Sequence, residues 1–352
     1  MKKIIKLLPG IIITIILALI SKICSGFIPY ELISAGVFAM LIGMLLHGLV
    51  KKIPNSQKGL QFVSKTILKA AIVLMGITLS FSQVLNVGKF SLIVMVFTLI
   101  SSFGFGNLFG KLFKMNWKLS NLISAGTGIC GGSAIAAISP TIEADDSDIA
   151  YAISATFIFD IVMVILFPIM GHAFGMTDLG YGLWAGTAVN DTSSVVAAGY
   201  AFSDAAGQFA TIVKLTRTLS IVPIVMIFAY VNQKIKTKKT GMQNQRIKVS
   251  VKKIFPWFIL LFIGMVAVRS ILDALAGAAA ISFINSENIA SFASIISQIS
   301  KFSMIMALGA IGLKTDFKKV AKSGFLPMLH GFIISAIVVV VSFAAQYVLG
   351  QI

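Results

Sequence analysis

Charged side chains are scarce in this sequence. Only 12% of its 352 residues are Asp, Glu, Lys or Arg, whereas soluble domains carry about 25%. Hydrophobic residues make up 57% of the chain, and the mean hydropathy is +0.96. The composition therefore excludes an ordinary soluble domain and favours a multipass membrane protein, in which the bilayer covers the apolar surface.

Cysteine and histidine are also rare, with two and three copies. Cys24 and Cys130 are far apart in the sequence, so neither a disulfide framework nor a CxxC metal site is indicated. No Gly-Lys-Ser/Thr follows the glycine-rich stretch to hold a nucleotide. An intramembrane enzyme would need a nucleophile beside a base, and Ser133 and Cys130 have no such partner by sequence. We expect no metal, no organic cofactor and no enzymatic activity.

Acidic residues are outnumbered by basic ones, 12 to 29, which gives a net charge of +17. The basic residues gather between apolar segments, at Lys2, Lys3 and Lys6, at Lys51, Lys52, Lys58, Lys65 and Lys69, at Lys111, Lys114 and Lys118, at 234–253, and at 314–322. This alternation is typical of cytoplasmic loops that follow the positive-inside rule. We therefore expect no nucleic-acid partner, a cytoplasmic N-terminus and an extracytoplasmic C-terminus.

The apolar residues form about ten or eleven segments of bilayer length, which predicts an all-α polytopic fold. The predicted spans are 7–24, 32–50, 62–81, 90–110, 119–142, 149–170, 180–201, 206–231, 254–276, 290–313 and 324–349. A polar, basic loop at 232–253 separates an N-terminal part, 1–231, from a C-terminal part, 254–352. We expect these parts to form one integral membrane unit.

A glycine-rich motif lies inside the span 119–142. Gly126, Gly128, Gly131 and Gly132 fall within seven residues there, although glycine is a poor helix former. Irregular backbone inside a bilayer persists only where protein or a wet cavity covers it. The motif therefore predicts a helix that is broken around a polar ligand.

The motif recurs 60 residues later. Ala125-Gly126-Thr127, with Ser133, Ile135 and Ala137, corresponds to Ala185-Gly186-Thr187, with Ser193, Val195 and Ala197. In the second copy, Asn190-Asp191-Thr192 replaces Cys130-Gly131-Gly132, so a carboxylate enters the motif. Chance similarity between two small-residue membrane segments is the alternative explanation.

The two copies can be arranged in two ways. If both are full spans, they run parallel across the membrane. If both are re-entrant hairpins, they enter from opposite faces, and the basic loops keep their side. Opposed broken elements that meet near the midplane are typical of secondary transporters built from inverted repeats.

Ionisable residues inside membrane segments indicate function by default. Asp160, Asp191, Lys214, Arg217 and Arg269 are such residues. Lys214 and Arg217 share one helix face because they are three apart. This pair suits a small oxyanion, and an internal ion pair with Asp160 or Asp191 is the alternative.

Asp191 and Asp160 are also candidate sites for a coupling ion, H⁺ or Na⁺, since a carboxylate beside unwound backbone suits either. The alternative for Asp191 is a helix cap. Neutral ligands of the substrate are expected among the tip residues, and interhelical hydrogen bonds are the alternative role of their hydroxyl groups. These residues are Thr127, Gly131, Gly132, Ser133, Thr187, Asn190, Ser193 and Ser194.

The sequence resembles the sulfate exporter family of bacterial inner-membrane proteins. The resemblance rests on the motifs 126–137 and 186–199, followed by Lys214-Leu-Thr-Arg217 and Pro223. The first motif is also similar to the broken helix of bile-acid/sodium symporters, and Asn190-Asp191 is similar to cation/proton antiporters. The resemblance implies a multipass protein of the bacterial inner membrane with inverted repeats and discontinuous helices. The chain departs from the expected pattern at Asn190, in place of His, and at Ser194, in place of Gln.

These observations lead to one main functional hypothesis. We expect a secondary active transporter that exports a small anion, such as sulfate or a sulfonate, by alternating access. Lys214 and Arg217 would hold the anion, and Asp191 or Asp160 would bind the coupling ion. The alternative is a Na⁺ or K⁺/proton antiporter centred on Asp191. The expected partners are the anion and the lipid bilayer, and the sequence permits a homo-oligomer.

Overall fold

The computed structural model describes residues 7–26, 35–240, 255–277, 286–315 and 324–351. Within these ranges the chain forms helices and no strands, as predicted. Eight of the helices in this part of the chain are long and apolar enough to cross a bilayer. The protein is therefore an all-α polytopic membrane protein.

The helices cover the predicted spans, but the spans predicted at 119–142 and 180–201 each consist of two short helices. The helices are α1 Leu8–Gly26, α2 Ala35–Val50, α3 Ser56–Thr78, α4 Phe81–Leu112, α5 Trp117–Ala125, α6 Gly132–Ile142, α7 Asp146–Ala173, α8 Asp178–Ala188, α9 Thr192–Phe202, α10 Asp204–Leu219, α11 Ile221–Thr240, α12 Phe258–Gly277, α13 Ser286–Lys314 and α14 Phe325–Val348. Helix α11 continues into the first part of the predicted loop 232–253, because Gln and Lys are good helix formers outside the bilayer as well. The rest of that loop, 241–253, lies outside the described residues.

The chain packs into two compact units. Unit 1 comprises Met1–Val87, Tyr200–Gln208 and Trp257–Phe317, and unit 2 comprises Gly88–Gly199, Phe209–Pro256 and Lys318–Ile352. Each unit collects segments from both halves of the sequence. The predicted organisation, in which a basic loop at 232–253 joins two parts of one membrane unit, stays a prediction.

Unit 1 is held together by close helix contacts at small residues. A side chain on Gly312 of α13 would collide with the carbonyl oxygen of Met40 on α2, and a Cβ on Gly43 would lie 2.7 Å from the Gly309 carbonyl oxygen. Small residues at such crossings let backbones approach closely, which is how membrane helices gain packing energy.

The first glycine motif forms a hairpin in unit 2. Helix α5 runs into a π-helical turn, Gly126–Cys130, and the chain reverses at Gly131, whose φ of 62° suits glycine. Helix α6 then leads back. The Lys118 Nζ donates to the Glu143 carbonyl oxygen at 2.6 Å, so the start of α5 lies beside the end of α6.

The second motif forms a matching hairpin in the same unit. Helix α8 ends at Ala188, Val189 is extended (φ −78°, ψ 137°), and α9 begins at Thr192. The Tyr181 hydroxyl near the start of α8 donates to the Ala198 carbonyl oxygen near the end of α9, at 3.0 Å. Both limbs of this element are therefore side by side as well.

Helix α7 connects the two hairpins and fixes their directions. It has 28 residues and is therefore about 42 Å long, so hairpin 1 (α5–α6) ends at one end of it and hairpin 2 (α8–α9) starts at the other. The tips meet, since a Cβ on Gly131 would lie 3.0 Å from the Cβ of Asp191. The second arrangement considered for the sequence, two opposed re-entrant hairpins, is the one that the structure shows.

Candidate functional site

Arg217 on α10 joins the two hairpin tips. Its side chain is wholly buried, and Nε donates to the Gly128 carbonyl oxygen at 2.6 Å. Nη2 donates to the carbonyl oxygen of Thr127 and Nη1 to that of Thr187. Each hairpin has a first limb that leads to its tip, α5 with its π-helical turn in hairpin 1 and α8 in hairpin 2. One guanidinium thus binds the C-terminal end of the first limb in both hairpins.

Lys214 does the same one turn earlier on α10. It is also wholly buried, and its Nζ donates to the carbonyl oxygens of Ile129 at 2.8 Å and Val189 at 3.0 Å. The last carbonyls of a helix have no intrahelical donor, and their partial negative charge favours cations. Because hydrocarbon offers no donor, the two cations supply the hydrogen bonds that the interrupted limbs lack.

The carboxylates bind the opposite kind of helix end. Asp160, at the middle of α7 and 1% exposed, accepts from the N–H groups of Asn190 at 2.8 Å and Asp191 at 2.9 Å. Asp191 accepts from the Ser193 N–H at 2.9 Å and from the Ser193 hydroxyl. Asp191 therefore caps the N-terminus of α9, which confirms the helix-cap alternative, and Asp160 holds the two residues that precede the helix.

The ion pair that was the alternative explanation for the two cations is not what the structure shows. Among the described residues, neither Lys214 nor Arg217 forms an ion pair with a carboxylate, and their bonds go to backbone carbonyls instead. Arg269 lies elsewhere, on α12 in unit 1, where it pairs with Asp273 at 2.9 Å. The binding of an anion by Lys214 and Arg217 stays a prediction.

The N-terminus of α6 is the open end of the site. Its first turn has no side-chain cap, Ser133 is exposed, and Gly132 is partly exposed. A Cβ on Gly132 would meet nothing within 4 Å. By the 60-residue offset, Gly131 stands where hairpin 2 has Asp191, so hairpin 1 lacks a carboxylate of its own.

Two threonine hydroxyl groups near the tips, one in each hairpin, point towards α14. The Thr127 Oγ1 lies 3.3 Å from the Ser335 Oγ, and the Thr187 hydroxyl contacts that of Ser342. The Asn190 Nδ2 also donates to the Ser335 Oγ, at 3.2 Å. These hydroxyls are therefore tied into interhelical bonds.

Ser335 and Ser342 were not predicted as site residues. Both are wholly buried, and they are seven residues apart, which places them on one face of α14. Two hydroxyls at that spacing in the last apolar span are the sequence signal that could have revealed them. Ser194, which was among the predicted site residues, is buried in the first turn of α9.

A family model described as "Conserved hypothetical protein 698" matches residues 9–331 of the chain. The chain belongs to this family. A UPF0324 membrane protein of Clostridium tetani is 65% identical over 350 residues, 97% of each chain. A UPF0324 membrane protein of Streptococcus mutans is 41% identical over 347 residues, also 97% of each chain.

These relatives are named as membrane proteins, which agrees with the helical fold described above. Their names say nothing of sulfate, of bile-acid symporters or of antiporters. The resemblance to those families therefore stays a prediction. The location in the cell membrane and the orientation of the two termini stay predictions as well.

Proposed function

We propose that the protein is a secondary active transporter that exports a small anion, such as sulfate or an organosulfonate, by alternating access. The observation that carries this proposal is the uncapped N-terminus of α6 at the point where two re-entrant hairpins meet. Opposed discontinuous elements with helix N-termini directed at an anionic group are a recurrent construction of transporter sites.

The chemistry of this helix end suits an anion. The N–H groups of Gly132 and Ser133 have no intrahelical acceptor at the first turn, and the helix dipole adds positive potential there. The Ser133 hydroxyl is exposed beside them. In hairpin 2 the equivalent end is capped by Asp191, and a bound anion would take that place in hairpin 1.

The neighbouring carboxylate supports coupling to a cation. Asp191 touches the Gly131 reversal and is partly exposed, so an anion at α6 would lie near a like charge. Binding of H⁺ or Na⁺ to Asp191 would remove that repulsion and link the two movements. Asp160 is engaged with two backbone N–H groups and would serve to hold the tip in place.

The test is transport by purified protein in proteoliposomes. Ser133→Asp places a fixed carboxylate at the open end of α6, and Ser133→Asn is the matched neutral control. We expect sulfate or sulfonate counterflow to be lost in Ser133→Asp and kept in Ser133→Asn. Equal flux in both variants would remove the N-terminus of α6 from the anion path.

A cation/proton antiporter centred on Asp191 is the second candidate. One observation favours it. Asp191 is partly exposed, whereas the other acidic and basic side chains at the tips, those of Asp160, Lys214 and Arg217, are at most 1% exposed. An Asp191→Asn variant would then lose Na⁺- or K⁺-driven recovery of a pH-sensitive dye in liposomes that contain no sulfate or sulfonate. Cation-driven recovery by the unmodified protein under these conditions would favour the antiporter over the anion transporter.

A further inference from the structure

A groove of about 590 Å³ lies in unit 2, away from the hairpin tips, between α4, α5 and α11. Its volume falls within the range of about 300–1,000 Å³ typical of small-molecule sites. The lining is almost entirely Leu, Ile, Val, Phe and Trp, with two asparagines. This site plays no part in the proposed transport step.

The groove opens onto apolar surface. Ile100 of α4 and Ile227 of α11 line it and are 67% and 54% exposed. Both helices belong to segments long and apolar enough to span a bilayer. In a bilayer, hydrocarbon chains cover such surface, so the groove is accessible to an acyl chain from the side.

The two asparagines do not require a polar occupant. The Asn107 Nδ2 donates to the Phe103 carbonyl oxygen at 2.8 Å and to the Asn121 Oδ1 at 3.2 Å. The Asn121 Nδ2 donates to the Asn107 Oδ1 at 3.2 Å and to the Trp117 carbonyl oxygen at 2.8 Å. All four amide hydrogens are thus used within the protein, and the groove is left with apolar character.

Two lysines lie beyond the lining residues at one end of the groove, one on α4 and one on α11. Lys111 follows Asn107 by one turn of α4, and Lys234 follows Val231 by three residues on α11, so each shares a face with a lining residue. Both lysines are exposed. The indole N–H of Trp117, also in the lining, has no acceptor among the described residues.

Contacts around α6 place these lysines at the same end. The Asn232 Nδ2 of α11 donates to the Thr141 carbonyl oxygen at 3.0 Å, and the Lys118 Nζ of α5 donates to that of Glu143 at 2.6 Å. The part of α11 around Asn232 and the start of α5, which directly follows α4, therefore meet at the end of α6. Glu143 and Asp148 belong to this end too, and Asp148 accepts from the Asn116 Nδ2 at 3.1 Å.

We propose that this groove binds one acyl chain of an anionic phospholipid, whose phosphate lies with Lys111 and Lys234. Basic residues between membrane helices at the membrane surface recognise anionic headgroups in this way, and Trp favours the same interfacial depth. The apolar groove selects a lipid tail, and the two cations select a negatively charged headgroup.

The first test uses the fluorescence of Trp117 in nanodiscs. Phosphatidylglycerol or phosphatidylcholine with brominated acyl chains is added at a low mole fraction, and the Trp117 signal is the difference between the unmodified protein and Trp117→Phe. We expect stronger quenching by the brominated phosphatidylglycerol. Equal quenching by the two lipids would overturn the proposal.

Charge variants test the headgroup contact. Lys111→Gln and Lys234→Gln should each lower the preference for phosphatidylglycerol about fivefold, given the typical contribution of one lysine near anionic lipid. The matched control is Lys89→Gln, which removes the same charge from α4 about 33 Å away. An equal loss in the control would assign the preference to net charge alone and overturn the site.

Native mass spectrometry tests the groove itself. Ile227→Trp places a bulkier side chain in it and narrows it, whereas Met226→Trp changes the neighbouring residue, which is equally exposed (55%) and does not line the groove. We expect the phosphatidylglycerol adduct to disappear only in Ile227→Trp. An adduct that persists in Ile227→Trp would contradict the proposal. A dimer of the unmodified protein that is lost only in Ile227→Trp would also contradict it, because a second copy of the chain would then occupy the groove.

Discussion

The two hairpins share a fold and differ in how their tips are charged. In hairpin 2, the N-terminus of α9 is capped by Asp191 and held by Asp160. In hairpin 1, the corresponding position is Gly131, and the first turn of α6 has no side-chain cap. The first limbs of the two hairpins, by contrast, have the same support, because Lys214 and Arg217 donate hydrogen bonds to the backbone carbonyl oxygens of both.

In the transporter that we propose, this difference separates the groups that support the tips from the group that would bind the ligand. Groups that both hairpins need, the donors to their C-terminal carbonyls, come from one helix and are wholly buried. The group that only one hairpin has, a carboxylate at the second limb, leaves the other limb open. The two hairpins are therefore alike in their support and different in their cap, and our proposal places the ligand at the tip that has no cap.

The largest expected effect comes from the shared support. Arg217→Ala would leave the carbonyls of Thr127, Gly128 and Thr187 buried without a donor, at about 1–3 kcal/mol each. We expect a large drop in the melting temperature measured in detergent. Arg269→Ala is the matched control, since a partly exposed ion pair contributes only about 0–1 kcal/mol. Similar melting temperatures for the two variants would show that Arg217 does not hold the tips together.

The next effect concerns the two carboxylates. In Asp160→Asn, an NH₂ group replaces one of the two carboxylate oxygens, so one of the backbone N–H groups that Asp160 binds loses its acceptor. The free energy of unfolding should fall by about 1.5–3 kcal/mol, the contribution of a hydrogen bond to a charged group. Asp191→Asn should cost less because Asp191 is partly exposed. Thermal unfolding of both variants tests this order. The reverse order would mean that Asp191, and not Asp160, positions the tip of hairpin 2.

A third prediction compares two adjacent glycines at the tip of hairpin 1. Gly131→Ala would strain a residue at φ 62° and ψ −134° and press a methyl group against Asp191, which should cost about 1–3 kcal/mol. Gly132→Ala meets open space and should leave stability almost unchanged. Both are measured by thermal unfolding, and equal effects would contradict the tight contact between the tips.

The smallest effect compares the bonds that close each hairpin. Tyr181→Phe removes a buried hydrogen bond of hairpin 2 and should cost about 1 kcal/mol. Lys118→Met removes the exposed bond of hairpin 1 and should cost less, because water can replace the lost donor. If Lys118→Met proved the more harmful in thermal unfolding, the exposed bond would be the more important closure.

Much of the fold could be predicted because its signals are local. Apolar length fixed the spans, and the glycines at 126–132 predicted the interruption that the structure shows at Gly131. The choice between crossing helices and hairpins could not be made, since it depends on which distant residues lie side by side, as Lys118 and Glu143 do.

The structure brings many of the predicted site residues together at the hairpin tips, but the contacts that they make there were not predicted. Lys214 and Arg217 are buried on one face as the spacing indicated, but their partners are backbone carbonyls, which carry no residue-specific signal. Ser335 and Ser342 were overlooked because isolated hydroxyls in an apolar span are common. Their role appears only when α14 is packed against the tips.

The hydrogen bonds at the tips also constrain the order of biogenesis. Hairpin 1 leaves the ribosome well before Lys214 and Arg217, and the hydroxyl partners of Thr127 and Thr187 on α14 follow later still. Early in synthesis, the polar backbone of both reversals must therefore stay in water or in the insertion machinery. A helix made much later than hairpin 1 thus supplies a hydrogen-bond partner to its interrupted segment.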